Sequence, residues 1–160
     1  MATTTKTKPP AKKPAAKRAP TAKATFTEEE RKAMAEYVAE TRGRAKKGGK
    51  VDGQGEVKAA IAKMSAEDGK LAQKIHDIVM AAAPALTPKT WYGMPAYAID
   101  DKTICFFQNA GKFKARFSTL GFSDKAKLDD GNVWPTSYAV GKLTAADEAK
   151  IAALVKRAVG

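Results

Sequence analysis

The feature of this sequence that most restricts its fold is a change of hydrophobic period at Thr90. Before Thr90, apolar side chains recur at helical spacing. After it come short segments rich in aromatic and β-branched residues, which favour strands, and a last segment from Thr144 returns to helical spacing. Helices, an antiparallel group of strands and a final helix predict an α+β two-layer sandwich, with a sheet of about 4–5 strands and helices on one face.

Capping signals show where the predicted helices begin. Three pairs have the spacing of a capping box, in which a hydroxyl and an acidic side chain satisfy the first backbone N–H groups of a helix. These pairs are Thr27 with Glu30, Ser65 with Asp68, and Thr144 with Asp147. With the apolar stripes that follow, they predict helices over 27–41 and 65–83, a shorter helix over 56–64, and a C-terminal helix after Thr144.

Turn residues divide the strand region into four predicted strands, over 90–99, 103–107, 112–120 and 137–141. The sequences "DDK" and "QNAGK" between the first three are typical of hairpin turns. In the strand over 112–120, Phe113, Ala115 and Phe117 alternate with Lys114 and Arg116. This alternation predicts one buried face and one exposed face.

Charge separates a tail from the rest of the chain. The net charge is +12, and residues 1–25 carry seven of the 29 basic side chains and no acidic one. Lys, Arg, Ala, Pro and Thr make up nearly all of this segment, so it cannot bury enough apolar surface to offset the entropy of ordering. The sequence predicts a disordered basic tail over 1–25, an N-terminal helix and glycine-rich linker over 26–55, and an α+β domain over 56–160.

Composition also indicates the compartment. A single cysteine, Cys105, excludes an internal disulfide and favours a reducing environment. The N-terminus lacks the apolar region of a secretory signal, and the longest apolar run, over 78–86, is too short to span a bilayer. We expect a cytoplasmic protein without a membrane partner.

The tail predicts contact with DNA, RNA or another polyanion. Each cation that neutralises a phosphate releases a counterion, so such binding is insensitive to base sequence and sensitive to salt. The cations concerned are Lys6, Lys8, Lys12, Lys13, Lys17, Arg18 and Lys23. The alternative is an extension that only increases solubility.

The stretch "KTWYGMPAY", over 89–97, concentrates aromatic side chains beside a glycine and a proline. We interpret it mainly as core of a strand. One alternative is a shallow groove in which aromatic rings and cations bind single-stranded nucleic acid, formed by Trp91, Tyr92, Tyr97, Lys112, Lys114, Arg116 and Trp134. Another is a closed small-molecule pocket lined by Trp91, Tyr97, Phe107 and Trp134.

The same stretch carries a family resemblance. Trp91, Gly93, Met94, Pro95 and Tyr97 form a W-x-G-M-P-x-Y segment after a helix that ends in Ala-Pro. With the segment from Trp134 onward, it resembles the YdhG-like domains of unknown function over residues 56–160. The resemblance implies a frataxin-like sandwich and, from one branch of that family, an iron chaperone. Iron favours oxygen ligands, and the carboxylates that such a site would use are Glu67, Asp68, Asp100 and Asp101.

No group of residues has the spacing of a catalytic site. His76 is the only histidine, and no cysteine and histidine have zinc-ligand spacing. The segment 43–50 lacks the Lys-Ser/Thr pair that a phosphate-binding loop needs after its second glycine. We therefore expect a non-enzymatic binding or adaptor domain without a cofactor, with an iron-binding protein as the alternative.

Overall fold

The computed structural model describes residues 25–48 and 52–160. In this part of the chain the α-helices are α1 (Glu28–Lys46), α2 (Gly53–Ala62), α3 (Ala66–Ala82) and α4 (Ala145–Val159). The strands are β1 (Thr87–Trp91), β2 (Met94–Ile99), β3 (Lys102–Gln108), β4 (Ser118–Phe122) and β5 (Ser137–Val140), and a 3-10 helix (Ala110–Phe113) lies between β3 and β4. Among the described residues, no helix is both long and apolar enough to cross a bilayer.

The five strands form one antiparallel sheet in the order β1-β2-β3-β4-β5. Tyr97 pairs with Cys105 and Cys105 with Phe122, so these three side chains share one face of the sheet. Helices α2, α3 and α4 cover that face, and Ile75 and Val155 join the same buried cluster. The α+β fold with helices packed on the sheet is confirmed.

Helix caps form largely as the sequence predicts. Both capping boxes at the outer helices are complete, Thr27 with Glu30 and Thr144 with Asp147. At α3 the Ser65 hydroxyl accepts from the Asp68 N–H at 3.2 Å. The capping box at α3 is incomplete, because the Asp68 carboxylate accepts from Asn109 and Gly111, which follow β3, and not from the Ser65 N–H.

The stretch 90–99 is a hairpin, and the prediction of one strand there is wrong. Tyr92 and Gly93 form its two-residue turn, with φ of 52° and 71°. Trp91 therefore pairs with Met94 and lies on the face opposite Tyr97. Because Tyr92 occupies the left-handed region, which favours Asn or Gly, the turn is hard to recognise in the sequence.

The prediction of a strand over 112–120 is wrong over 112–117. Residues 110–113 form the 3-10 helix, Lys114 has a φ of 52°, and β4 begins only at Ser118. The N–H of Ala115 donates to the Ala110 carbonyl at 2.9 Å and closes the turn. As a result Phe117, expected on a buried face, is 43% exposed.

The glycine-rich linker predicted over 46–55 is shorter than expected. α1 continues to Lys46, and α2 already begins at Gly53, where the Asp52 carboxylate accepts from the Gly55 N–H at 3.0 Å. A Cβ atom at Gly53 would overlap the carbonyl oxygen of Pro88 in β1. The glycine therefore allows the start of α2 to approach the edge strand closely.

Candidate functional site

The connection between β3 and β4, residues 109–117, carries all three cations of the predicted aromatic groove and is called the basic loop below. Lys112 and Lys114 face α1, whereas Arg116 and Phe117 line a groove beside α3. The Asp68 carboxylate anchors the loop by accepting from the Asn109 side chain and the Gly111 N–H, both at 3.1 Å. This anchor explains why the loop does not continue as a strand.

The groove has a volume of about 680 Å³ and lies between α3, the basic loop and the segment after β5. We call it the cationic groove. Its basic residues are Lys70, Lys74, Arg116 and Lys142; its main apolar residues are Leu71, Phe117, Val140 and Leu143; and its acids are Glu67 and Asp68. Cations beside apolar walls suit a ligand that has both charged and flat apolar parts.

Phe117 and Arg116 form an exposed aromatic and cationic pair at this groove. The Arg116 guanidinium lies 5.4 Å from the centre of the Phe117 ring. An exposed ring with a cation nearby is the arrangement that stacks on unpaired bases in single-strand binders.

On its other side the basic loop is bound by α1. Lys114 pairs with Glu29 at 2.5 Å, and Lys112 pairs with Glu36. The hydrogen bond from Lys114 lowers the pKa of Glu29. The Lys112 side chain is mostly buried, with 17% of it exposed. The Lys114 side chain is 79% exposed.

The predicted aromatic groove is not formed as one surface, because its residues separate. Tyr92 stacks on Tyr37 with ring centres 4.5 Å apart, and Trp91 packs edge-on against Phe106 at 5.1 Å. Tyr97 is fully buried in the core. Trp134, in the β4–β5 connection, is partly buried against that core, so Trp91 and Tyr92 lie apart from it.

The closed pocket predicted from Trp91, Tyr97, Phe107 and Trp134 is not formed by these residues. Tyr97 and Phe107 are fully buried on the face covered by helices. Trp91 projects from the opposite face. A single cavity cannot be lined by all of them.

The four carboxylates of the iron alternative lie at two places. Glu67 and Asp68 begin α3, where Asp68 contacts residues that follow β3. Asp100 and Asp101 form the turn before β3, and Lys89 donates to the Asp101 carboxylate at 3.0 Å. The seven residues of β3 separate the two pairs by roughly 20 Å, and the described residues contain no group of three or more potential metal ligands.

A hydrogen-bonded network that sequence reasoning missed links the exposed Gln54 of α2 to the buried His76 of α3 and Tyr97 of β2. His76 Nε2 lies 3.0 Å from Gln54 Oε1, and His76 Nδ1 lies 3.1 Å from the Tyr97 hydroxyl. Because Gln54 Oε1 only accepts, Nε2 carries the proton and Nδ1 accepts from Tyr97. Burial lowers the pKa of His76, raises that of Tyr97, and raises that of the Cys105 thiol to about 12.

Comparison of the chain with protein-family models, with curated proteins and with solved structures gives no match. The YdhG-like and frataxin-like resemblance stays a prediction from the motif over 91–97. The function must be inferred from the residues themselves.

Proposed function

We propose that this protein is a non-enzymatic binding domain that holds DNA or another polyanion through the cationic groove and the basic tail. The observation that carries the proposal is the groove itself. It gathers cations from α3, the basic loop and the segment after β5 around one exposed aromatic ring.

The charges of the cationic groove favour an anionic ligand. Among the described residues, Lys70, Arg116 and Lys142 have no ion pair, so their charges are available to phosphate oxygens. Lys74 pairs with Glu148 at 2.5 Å. The Asp68 carboxylate is held by two donors, which reduces its repulsion of an anion.

The basic tail strengthens this proposal because it joins the rest of the chain at α1, beside the basic loop. Residues 1–25 lead directly into α1, whose first turn contacts the basic loop through Glu29 and Lys114. All seven cations of the tail lie outside the described residues. Two cationic segments joined in one chain bind a long polyanion more tightly than either does alone, since the second contact is intramolecular.

The contacts predict affinity without base specificity. Three of the four groove cations are lysines, which act on phosphate as point charges, and the fourth, Arg116, lies beside the Phe117 ring. Binding should therefore weaken steeply as salt is raised from about 50 to 200 mM.

Fluorescence anisotropy with a labelled DNA duplex tests the proposal, with heparin as a second polyanion. The groove variant Lys70→Gln/Arg116→Gln/Lys142→Gln is expected to reduce the slope of log affinity against log salt by about 2.7, since three phosphate contacts are lost. Deletion of residues 1–25 should weaken binding further.

The matched control variant is Lys58→Gln/Lys102→Gln/Lys156→Gln. It removes the same charge at exposed positions outside the groove. Equal weakening by the groove and control variants would exclude the groove as the site, and an unchanged affinity after tail deletion would exclude the tail.

A further inference from the structure

We propose that the basic loop is a second polyanion-binding surface whose present occupant is α1, a strap that two glutamates hold on the loop and that nucleic acid displaces. This inference rests on the proposed function and assigns to it a regulation. In the structure, carboxylates of α1 form ion pairs with the loop lysines, as the phosphates of a bound strand would.

The contacts between α1 and the basic loop are ionic. Glu29 pairs with Lys114 at 2.5 Å, and Glu36 pairs with Lys112. The two glutamates lie seven residues apart, two turns along one side of the helix, with Ala33 between them. α1 thus presents two carboxylates to two ammonium groups of the basic loop.

The rest of the α1 interface buries little apolar surface and is held mainly by polar contacts, in which Arg44 pairs with Glu56 and donates to the Thr90 carbonyl. Ala33 is the only buried residue of α1, whereas Met34 and Val38 are exposed. Glu40 accepts from the Gly93 N–H through Oε1 at 2.8 Å, but its Oε2 is buried without a hydrogen-bond partner. A buried carboxylate oxygen without a donor costs free energy that is recovered when the helix leaves.

Release of α1 would leave cations around one opening. The pair between Glu36 and Lys112 lies directly against Gly93, where a Cβ atom would overlap the Glu36 carboxylate. Beside this pair is a cleft of about 360 Å³ that Lys63 also lines. Without Glu36, the ammonium groups of Lys63 and Lys112 would face the same cleft, and Lys114 and Arg116 would extend that charge toward the cationic groove.

The partner that fits this surface is a phosphate backbone. A ligand displaces α1 only if it binds the released loop better than the covered one, and closely spaced phosphates supply several charges at once. The basic tail precedes α1 directly in the sequence, so a polyanion bound by the tail is tethered to the helix that covers the loop.

Anisotropy titration of the full-length chain with a labelled DNA duplex tests the strap. Glu29→Gln/Glu36→Gln is expected to tighten binding about three- to tenfold, as two ion pairs that compete with the ligand are lost. Tyr37→Ala should tighten it as well, because it removes the stack on Tyr92 without changing the net charge.

Glu28→Gln/Asp129→Asn is the matched control. It changes the net charge by the same amount and also removes one acid from the first turn of α1, but neither carboxylate forms an ion pair among the described residues. A gain equal to this control, together with no gain for Tyr37→Ala, would overturn the strap.

Hydrogen exchange of α1 supplies a readout that is independent of charge. With saturating duplex, exchange of the amides over 28–46 in the wild type is expected to accelerate several-fold; unchanged or slower exchange would overturn the proposal. Identical binding by all variants would contradict the strap but leave the proposed function standing. Absence of DNA binding in the wild type and in every variant would contradict both the strap and the proposed function.

Discussion

At the scale of single residues, Phe117 is an aromatic side chain that contributes its ring to the cationic groove and not to the core. It lies outside the buried core, 43% exposed, on the wall of the cationic groove beside Arg116. An exposed aromatic ring adds little to folding, whereas a stacked base is worth about 1–3 kcal/mol in single-strand binders. Phe117 therefore offers a test of ligand class.

Phe117→Ala is expected to weaken binding of single-stranded oligothymidylate about 5- to 100-fold, through the loss of one stacked base. Duplex binding should change little, because its bases are already stacked. The free energy of unfolding should move by no more than about 0.5 kcal/mol, as is usual at exposed positions. Anisotropy with both DNA forms and urea unfolding measure these effects.

Phe26→Ala is the control for this substitution, since Phe26 is 52% exposed and does not line the groove. An equal loss of single-strand affinity in both variants would contradict a specific role for Phe117. A loss of duplex affinity as large as that for the single strand would indicate a charge effect instead.

Which residues are buried could be predicted for the helices but not fully around the first hairpin. Val57, Ile61 and Ile75 lie at helical spacing, and all three join the core. Trp91 and Tyr97 would share a face if 90–99 were one strand. The turn at Tyr92 and Gly93 reverses the chain between them, so only Tyr97 reaches the core.

At the scale of secondary-structure elements, Gly93 combines two constraints in the β1–β2 turn. Its φ is 71°, which disfavours any side chain, and a Cβ atom there would overlap the Glu36 carboxylate on α1. The hairpin and the docking of α1 thus depend on the same glycine.

Gly93→Ala is expected to lower the free energy of unfolding by about 1–3 kcal/mol, through backbone strain and displacement of Glu36. Gly131→Ala separates the two causes, because Gly131 also has a positive φ, 65°, but no atom lies near its missing Cβ. Urea unfolding of both variants measures the difference. Equal losses would show that the contact with α1 contributes nothing.

The basic loop shows why one element could not be predicted. Alternation of apolar and basic residues over 113–117 is typical of a half-exposed strand. The side chains that determine its shape lie elsewhere in the chain, since Asp68 bonds to Gly111 and Glu36 to Lys112. Local pattern fails here because long-range polar contacts hold the loop away from the sheet.

At the scale of the whole molecule, the order of helices and strands was enough to predict the α+β layers, because the described helices show apolar stripes and three of the four begin at a recognisable cap. The candidate site was only partly predictable. Arg116, which the sequence predicts as a binding residue, lines the cationic groove, but Lys70 and Lys142 come from distant segments that only the fold brings together. Lys112 and Lys114 are basic in the sequence, yet nothing local shows that α1 neutralises them.

The network of Gln54, His76 and Tyr97 joins three elements of the fold, so protonation of His76 should affect the stability of the whole molecule. Burial lowers the pKa of His76 below its ordinary value of 6.5, an effect that Asp77 opposes and Lys58 reinforces. The unfolded chain therefore binds the proton more readily, and this contribution to stability is lost as the pH falls below about 6.5.

His76→Gln isolates this contribution, because the amide can still reach Gln54 and Tyr97 but does not titrate. Urea unfolding at several pH values between about 7.5 and 5.5 should show a steeper loss of stability for the wild type than for the variant. Carboxylates contribute to both proteins alike, so their effect cancels in the difference. Parallel curves would mean that the imidazole of His76 accepts a proton inside the core at no cost in free energy. Its two hydrogen-bond partners are neutral and it is almost completely buried, so we expect the curves to diverge.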